Sequence, residues 1–126
     1  MNDAELNNLR IGKILRRRRD ELDLTLKDIC DKLGYKYANF ISMIENGNSN
    51  IPLARIADFA DVYELDNVFI PVVIKYSYES TWTAIKDTFR LNKSIFKPNN
   101  IDKIDSDIET AFKNFLIDHD LIQVAE

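Results

Sequence analysis

The side chains best suited to recognition chemistry lie in residues 37–46. Apolar residues recur there at helical spacing, and they predict an inward face of Tyr37, Phe40, Ile41 and Ile44. The opposite, outward face is small and uncharged, and its members are Ala38, Asn39, Ser42, Met43 and Asn46. Amide, hydroxyl and methyl groups match the groups that base pairs expose in a major groove. A helix over residues 37–46 with this face therefore suits insertion into such a groove.

A second short helix is predicted just before this segment. Its apolar stripe consists of Ile29, Cys30 and Leu33. Thr25 can cap its N-terminus, and Asp28 three residues on can complete a capping box. Gly34 then ends the helix, because the position after a helix often needs a positive φ that glycine adopts without a Cβ clash. The pattern predicts two short helices joined by a tight turn.

The chain resembles the Cro/cI-like (Xre) helix-turn-helix family of bacterial and phage DNA-binding regulators. The resemblance rests on LTLKDICDKLG and FISMIENG, preceded by RRRRDEL and followed by IPLARIADFADVYEL, and it covers about residues 8–66. It implies an all-α fold with a five-helix, lambda repressor-like DNA-binding domain at residues 1–66. Residues 67–126 are then expected to form a helical C-terminal extension.

Roles follow from the resemblance by position. It implies that Arg19 and Glu45 form a structural pair linking the first helix to the end of the recognition helix. It also implies that Asn39 and Met43 face the bases, and an amide such as that of Asn39 can pair bidentately with adenine.

The chain departs from the family pattern at two places. Leu26 stands where the family most often has a glutamine that contacts phosphate, which removes one expected backbone contact. The turn over residues 34–40 is one residue longer than in phage repressors. Ala38 can therefore hold the base-contacting position in place of Asn39.

The candidate DNA contacts fall into two sets. Candidates for base contacts are Ala38, Asn39, Ser42 and Met43. Candidates for phosphate contacts are Thr25, Lys27, Lys36, Tyr37, Asn46, Asn48, Ser49 and Asn50. Lys27 and Lys36 supply charge near helix N-termini, and the polar loop of residues 48–50 can donate to phosphate. The alternative for this loop is a plain turn made of turn-forming residues.

Charge is segregated along the chain, whose net charge is −4. Residues 10–56 hold ten Lys and Arg against six Asp and Glu, whereas residues 57–126 hold seven against thirteen. A basic front half can meet phosphate, and an acidic back half should point away from it. Within the run at residues 16–19, Arg16 and Arg17 either face phosphate or are simply solvated.

Two further helices complete the predicted front half. Residues 1–9 are polar and predicted to fray, and the first helix then runs to about Leu22. Its predicted buried residues are Ile11, Ile14, Leu15 and Leu22. Another helix starts at Pro52 and ends at residues 63–65. Its predicted core-facing residues are Leu53, Ile56, Ala57, Ala60 and Val62.

The back half is predicted to contain three more helices. The first begins near Asn67 or Pro71 within an apolar run at residues 68–74. The second covers about residues 81–95, with Trp82, Ile85 and Phe89 on one face, and a break follows at residues 98–100. The third covers about residues 102–119. Its predicted stripe is Ile101, Ile104, Ile108, Ala111, Phe112 and Phe115.

The apolar run exceeds what a five-helix domain needs for its own core, so part of it is a candidate oligomer seam. The candidate dimerisation residues are Val68, Phe69, Val72, Val73, Tyr76 and Trp82. The alternative is that the late helices pack within one chain, and both can hold together.

Other kinds of site find little support in the sequence. There is no Gly-rich phosphate loop, no metal-ligand spacing and no nucleophile beside a histidine, so neither an enzyme nor a cofactor is predicted. Cys30 is the only cysteine and is expected to be buried, and His119, the only histidine, is expected at the surface near a helix C-terminus. No apolar run reaches the ~18 residues of a membrane span. The expected location is the cytoplasm.

These features predict a homodimeric, sequence-specific regulator of double-stranded DNA, acting as a repressor by occupying paired half-sites about 34–36 Å apart. The alternative is a protein-interaction module, similar to an antitoxin, that keeps the scaffold and binds a toxin or another regulator through its acidic C-terminal half.

Overall fold

The computed structural model describes residues 1–91 and 100–122, and over these residues every regular element is helical. The seven α-helices are α1 (Asp3–Glu21), α2 (Leu26–Leu33), α3 (Ala38–Glu45), α4 (Ile56–Val62), α5 (Phe69–Ser77), α6 (Glu79–Leu91) and α7 (Ile101–Asp118). A 3₁₀ turn, Leu53–Arg55, leads into α4. The predicted all-α fold class is confirmed.

Helix α1 begins earlier than the polar composition of residues 1–9 predicts. The Asn2 side chain accepts a hydrogen bond of 2.8 Å from the backbone N–H of Glu5, which caps the helix. Asp3 and Glu5 lie in the first turn, where negative charge is favourable. The prediction of a frayed start was therefore wrong. Leu22 is only half-buried, because it follows the last helical residue.

The α2 N-terminus and C-terminus follow the predicted chemistry. Thr25 and Asp28 form both hydrogen bonds of a capping box. Gly34 ends the helix at φ +77°. Cys30 is buried, and its thiol donates a hydrogen bond of 2.9 Å to the carbonyl of Tyr35. The chain then turns into α3.

Two residues at the start of α3 are oriented differently from the prediction. Tyr37 is 65% exposed and occupies the N-cap position, so it does not belong to the inward face. Ala38 is half-buried against the core instead of facing solvent. Tyr37 precedes the first helical residue of α3, so it lies outside the helical phase that joins Phe40, Ile41 and Ile44.

The buried face of α4 also differs from the predicted one. Leu53 is 45% exposed, because it lies in the 3₁₀ turn and not in the helix. Ala57 is exposed as well. The residues that enter the core are Ile56, Phe59, Ala60 and Tyr63, at helical spacing counted from the true start of α4. Phe59 and Tyr63 were absent from the predicted stripe.

Helix α5 is central, since it packs against α1, α4, α6 and α7. Phe69, Val72 and Val73 have no exposed surface within a single chain, and Trp82 of α6 is 7% exposed. These four side chains therefore belong to the core of a single chain and are not available as an oligomer seam. Of the candidate dimerisation residues, Val68 and Tyr76 keep partial exposure.

The last helix packs with a stripe similar to the predicted one. Ile101, Ile108, Phe112 and Leu116 are buried, whereas Ile104 is 43% exposed. The predicted continuation of α6 to residue 95 and the break at residues 98–99 lie outside the described residues. The expectation of a surface position for His119 was wrong, because this residue is buried beside α1.

Two kinds of feature are absent from residues 1–91 and 100–122. No helix in this part of the chain is long and apolar enough to cross a membrane. No group of three or more His, Cys, Asp or Glu residues within it is placed to hold a metal ion.

Candidate nucleic-acid interface

The C-terminal end of α3 is fixed to α1 by a buried ion pair. The guanidinium of Arg19 donates from Nε to Glu45 Oε2 and from Nη2 to Glu45 Oε1, both at 2.9 Å. The Glu45 side chain is 3% exposed and that of Arg19 12% exposed. The hydrogen bonds to Glu45 raise the pKa of Arg19 further above its ordinary value. A planar, bidentate pair of this kind fixes orientation as well as distance.

Tyr63 of the segment after α4 completes this network. Its hydroxyl donates a hydrogen bond of 2.7 Å to Glu45 Oε2. Burial raises the pKa of Tyr63, and the neighbouring Glu45 carboxylate raises it further. Three elements thus meet at one carboxylate.

Gly12 allows α1 and α3 to approach closely at the same place. A Cβ atom at Gly12 would lie 2.5 Å from the carbonyl oxygen of Glu45 and 2.6 Å from that of Ile44. Any larger residue would push the two helices apart. The sequence analysis missed this role, because a glycine within a helix pattern does not show which backbone approaches it.

The turn between α2 and α3 is held by Arg55. Its Nη2 donates a hydrogen bond of 2.7 Å to the carbonyl of Leu33, one of the carbonyls left unpaired at the end of α2. Its guanidinium carbon lies 5.0 Å from the centre of the Tyr35 ring, within cation–π range. Asp58 accepts from its Nε at 2.6 Å. Arg55 was also missed, because nothing local in the sequence links it to a turn about 20 residues earlier.

The outward face of α3 carries the candidate base contacts. Asn39 and Asn46 are exposed, and Met43 is 40% exposed. Ser42 is half-buried and accepts a long hydrogen bond of 3.4 Å from the Asn46 amide. Ala38 presents less surface than Asn39, which favours Asn39 for base contact. This face holds no charged side chain.

The candidate phosphate contacts around the helix N-termini are already partly engaged. Lys27 pairs with Asp31 at 2.8 Å, and that hydrogen bond raises the pKa of Lys27. The Thr25 hydroxyl oxygen caps α2 as an acceptor. The ammonium of Lys36 lies 5.4 Å from the centre of the Tyr37 ring, and both side chains are exposed. Lys36 and Tyr37 are therefore the more available members of this set.

The loop of residues 48–50 is tied to the start of α1. Gly47 has φ +79°, and a Cβ atom there would lie 2.8 Å from Leu9 Cα. Asn8 donates a hydrogen bond of 2.6 Å from Nδ2 to Asn50 Oδ1. Asn48 and Asn50 stay exposed, while Ser49 is half-buried. The loop is thus held beside α3 with its amides at the surface.

The four consecutive arginines of α1 divide into two pairs. Arg18 donates to the backbone carbonyls of Tyr63 and Glu64, both at 3.1 Å, and Arg19 binds Glu45. Arg16 and Arg17 are exposed. Two of these arginines are therefore structural and two present their charge to solvent.

Comparison with known proteins gives one match. Residues 15–66 match the helix-turn-helix family model HTH_3. Neither the curated proteins nor the solved structures include a significant match. The matched range contains α2, α3, α4 and the Arg19–Glu45–Tyr63 network. This match supports the resemblance of residues 15–66 to the Cro/cI-like (Xre) helix-turn-helix family of DNA-binding regulators.

Proposed function

We propose that this protein is a transcriptional repressor that recognises a specific DNA sequence by placing α3 in the major groove. One observation carries the proposal. Helix α3 has an exposed, uncharged face, and its C-terminal end is held in place by Arg19, Glu45 and Tyr63. A recognition helix needs both properties, because base contacts are made only at a fixed orientation to the groove.

The base contacts follow from the chemistry of that face. Asn39 can pair bidentately with adenine, and Met43 can offer apolar contact to a thymine methyl. Ala38 and Ser42 contribute smaller contacts at the edge of the face. The phosphate contacts come from the set around it: Thr25, Lys27, Lys36, Tyr37, Asn46, Asn48, Ser49 and Asn50.

We assign DNA recognition to residues 1–66 and self-association to residues 67–126. Two copies would occupy paired half-sites, which increases affinity because the second copy binds at high effective concentration. The acidic balance of residues 57–126 supports an arrangement in which this half points away from DNA. Of the side chains predicted for association, the partly exposed Val68 and Tyr76 remain candidates. Repression would follow from occupancy of a promoter.

The DNA test is selection from a random double-stranded library, followed by gel shifts of the selected sequence and of random DNA at low and moderate salt. The proposal predicts an enriched, palindromic motif and a complex that survives moderate salt. Absence of any complex at both salt concentrations would contradict it.

Self-association has a separate test. Sedimentation at tens of micromolar, roughly where a weak interface still assembles, should show a dimer. A monomer there would remove dimerisation from the proposal without touching DNA recognition.

The second candidate function is a protein-interaction module. Its support is specific: Leu26 is half-buried where the family most often has a glutamine, and Lys27 forms an ion pair with Asp31. Both features weaken the expected contacts between the α2 N-terminus and the phosphates of the DNA backbone. In this case the acidic back half would bind a protein partner, and the library selection would return no motif.

A further inference from the structure

A concave groove lies on the exposed side of α1, beside the C-terminal end of α3. Its volume is about 300 Å³, and Lys13, Arg16 and Arg17 line it together with Asn46. We propose that this groove binds two phosphates of the DNA backbone flanking the recognised sequence. The proposal rests on the proposed function, and it adds α1 to the parts of the protein that hold DNA.

The three cationic side chains of the groove are available to bind an anion. Their spacing of three and four residues places them on one face of α1. All three are exposed, and within residues 1–91 and 100–122 none of them takes part in an ion pair with a carboxylate. The neighbouring Arg18 and Arg19 instead donate hydrogen bonds within the fold, to the Tyr63 carbonyl and to Glu45 respectively.

The carboxylates of the groove do not cancel this charge. Glu45 is already neutralised by Arg19 and receives the Tyr63 hydroxyl. Asp20 is 62% exposed and lies 3.9 Å from Arg19 Nη1. Three unpaired cations thus face one weakly paired carboxylate, and two phosphodiester groups, each with one negative charge, would restore the balance.

The position of the groove favours a DNA phosphate over other anions. Asn46 belongs both to the groove and to the outward face of α3, seven residues along that face from Asn39. Seven residues are two helical turns, so the groove continues the recognition face toward its C-terminal end. In the proposed complex, the DNA strand that leaves this end of α3 passes over the groove on α1.

The two ends of the groove differ. Arg17 also borders a neighbouring cavity whose wall includes Asp118 and Asp120. These carboxylates oppose an anion at that end. Lys13 and Arg16 should therefore supply most of the phosphate contact.

The test uses the full chain, the selected DNA site and random DNA. In the variant Lys13→Ala/Arg16→Ala, affinity should fall by about one to two orders of magnitude at ~0.1 M salt for both DNAs. The slope of log K against log salt should flatten by about 1.8, since each phosphate contact contributes about 0.9. The matched control is Lys103→Ala/Lys113→Ala, which removes the same charge from exposed positions on α7 and should leave the slope unchanged.

Each other outcome overturns the proposal in a distinguishable way. An unchanged slope in the Lys13/Arg16 variant, with wild-type selectivity intact, removes the groove contact alone. Equal flattening in the α7 control shows a bulk charge effect. Tight binding of inorganic pyrophosphate by the wild type, lost in the Lys13/Arg16 variant while the DNA slope stays the same, shows a site for a free phosphorylated ligand. If the wild type binds no DNA at all, the proposed function fails with it.

Discussion

Two networks of charged side chains hold the two halves of this protein, and they differ in burial and in geometry. In the front half, Glu45 is 3% exposed and receives a bidentate guanidinium from Arg19. In the back half, the Asp105 carboxylate is 21% exposed and accepts hydrogen bonds of 2.7 Å from the Lys75 ammonium and the Trp82 indole.

The difference matches the roles that we propose for the two halves. A guanidinium fork fixes the angle between two helices, whereas an ammonium neutralises charge with little control of angle. The front network sets the orientation of α3, the helix with the candidate base contacts. The back network joins α5, α6 and α7, which carry none of the candidate base contacts. Rigid geometry is thus concentrated next to the surface that we propose to contact DNA.

Removal of the central carboxylate of the front network should give the largest effect. Glu45→Ala leaves Arg19 partly buried without its partner, and it should destabilise the protein by about 2–4 kcal/mol. Urea unfolding followed by circular dichroism measures this. Asp20→Ala is the matched control, since Asp20 also neighbours Arg19 but is exposed. An unchanged midpoint for Glu45→Ala would show that the pair does not stabilise the fold.

Loss of the phenolic hydroxyl should have the next largest effect. Tyr63→Phe keeps the buried ring and removes one hydrogen bond to a charged acceptor, at a cost of about 2 kcal/mol. Tyr35→Phe removes the hydroxyl of a partly buried ring that packs on the same core, and it should change little. Equal effects of the two substitutions would mean that the Glu45 contact contributes nothing specific.

Loss of the Asp105 carboxylate in the back network should lower the free energy of unfolding less, and the size of this effect should depend on pH. Burial raises the pKa of Asp105, but the hydrogen bonds from Lys75 and Trp82 outweigh it and hold the pKa below its ordinary value. A lowered folded-state pKa contributes stability above the unfolded value of 3.8, and this contribution is lost as the pH falls toward the folded pKa.

Asp105→Asn should therefore cost about 1 kcal/mol near neutral pH. The difference from wild type should shrink as the pH falls below about 4. Melting temperatures across this range measure it, with Asp107→Asn on the exposed side of α7 as control. A difference that stays constant down to about pH 3 would contradict the assignment of the pKa to this network.

Sequence alone predicted those elements whose signals are local. The capping box of Thr25 and Asp28 and the positive φ of Gly34 depend on residues within a few positions of each other. Helical periodicity likewise predicted α2, α3 and α7, because one helix carries its own apolar stripe.

The incorrect predictions concern which part of the chain packs against each helix. Periodicity shows that Phe69, Val72 and Val73 share a face, but not whether that face meets the same chain or a second copy. His119 is buried beside α1, where the Glu21 carboxylate lies 2.7 Å from its Nδ1 although the two residues are 98 positions apart. Arg55 and Gly12 were missed for the same reason.

The central claim is that the outward face of α3 distinguishes one DNA sequence from others, and one pair of variants tests it directly. Asn39→Ala should cost about 1–3 kcal/mol on the selected site and little on random DNA, with an unchanged salt dependence. Lys36→Ala should weaken binding to both DNAs alike and flatten the salt slope by about one. Fluorescence anisotropy titrations at several salt concentrations give all four affinities. If Asn39→Ala lowers affinity equally for both DNAs, Asn39 contacts the backbone and the proposed recognition face is wrong.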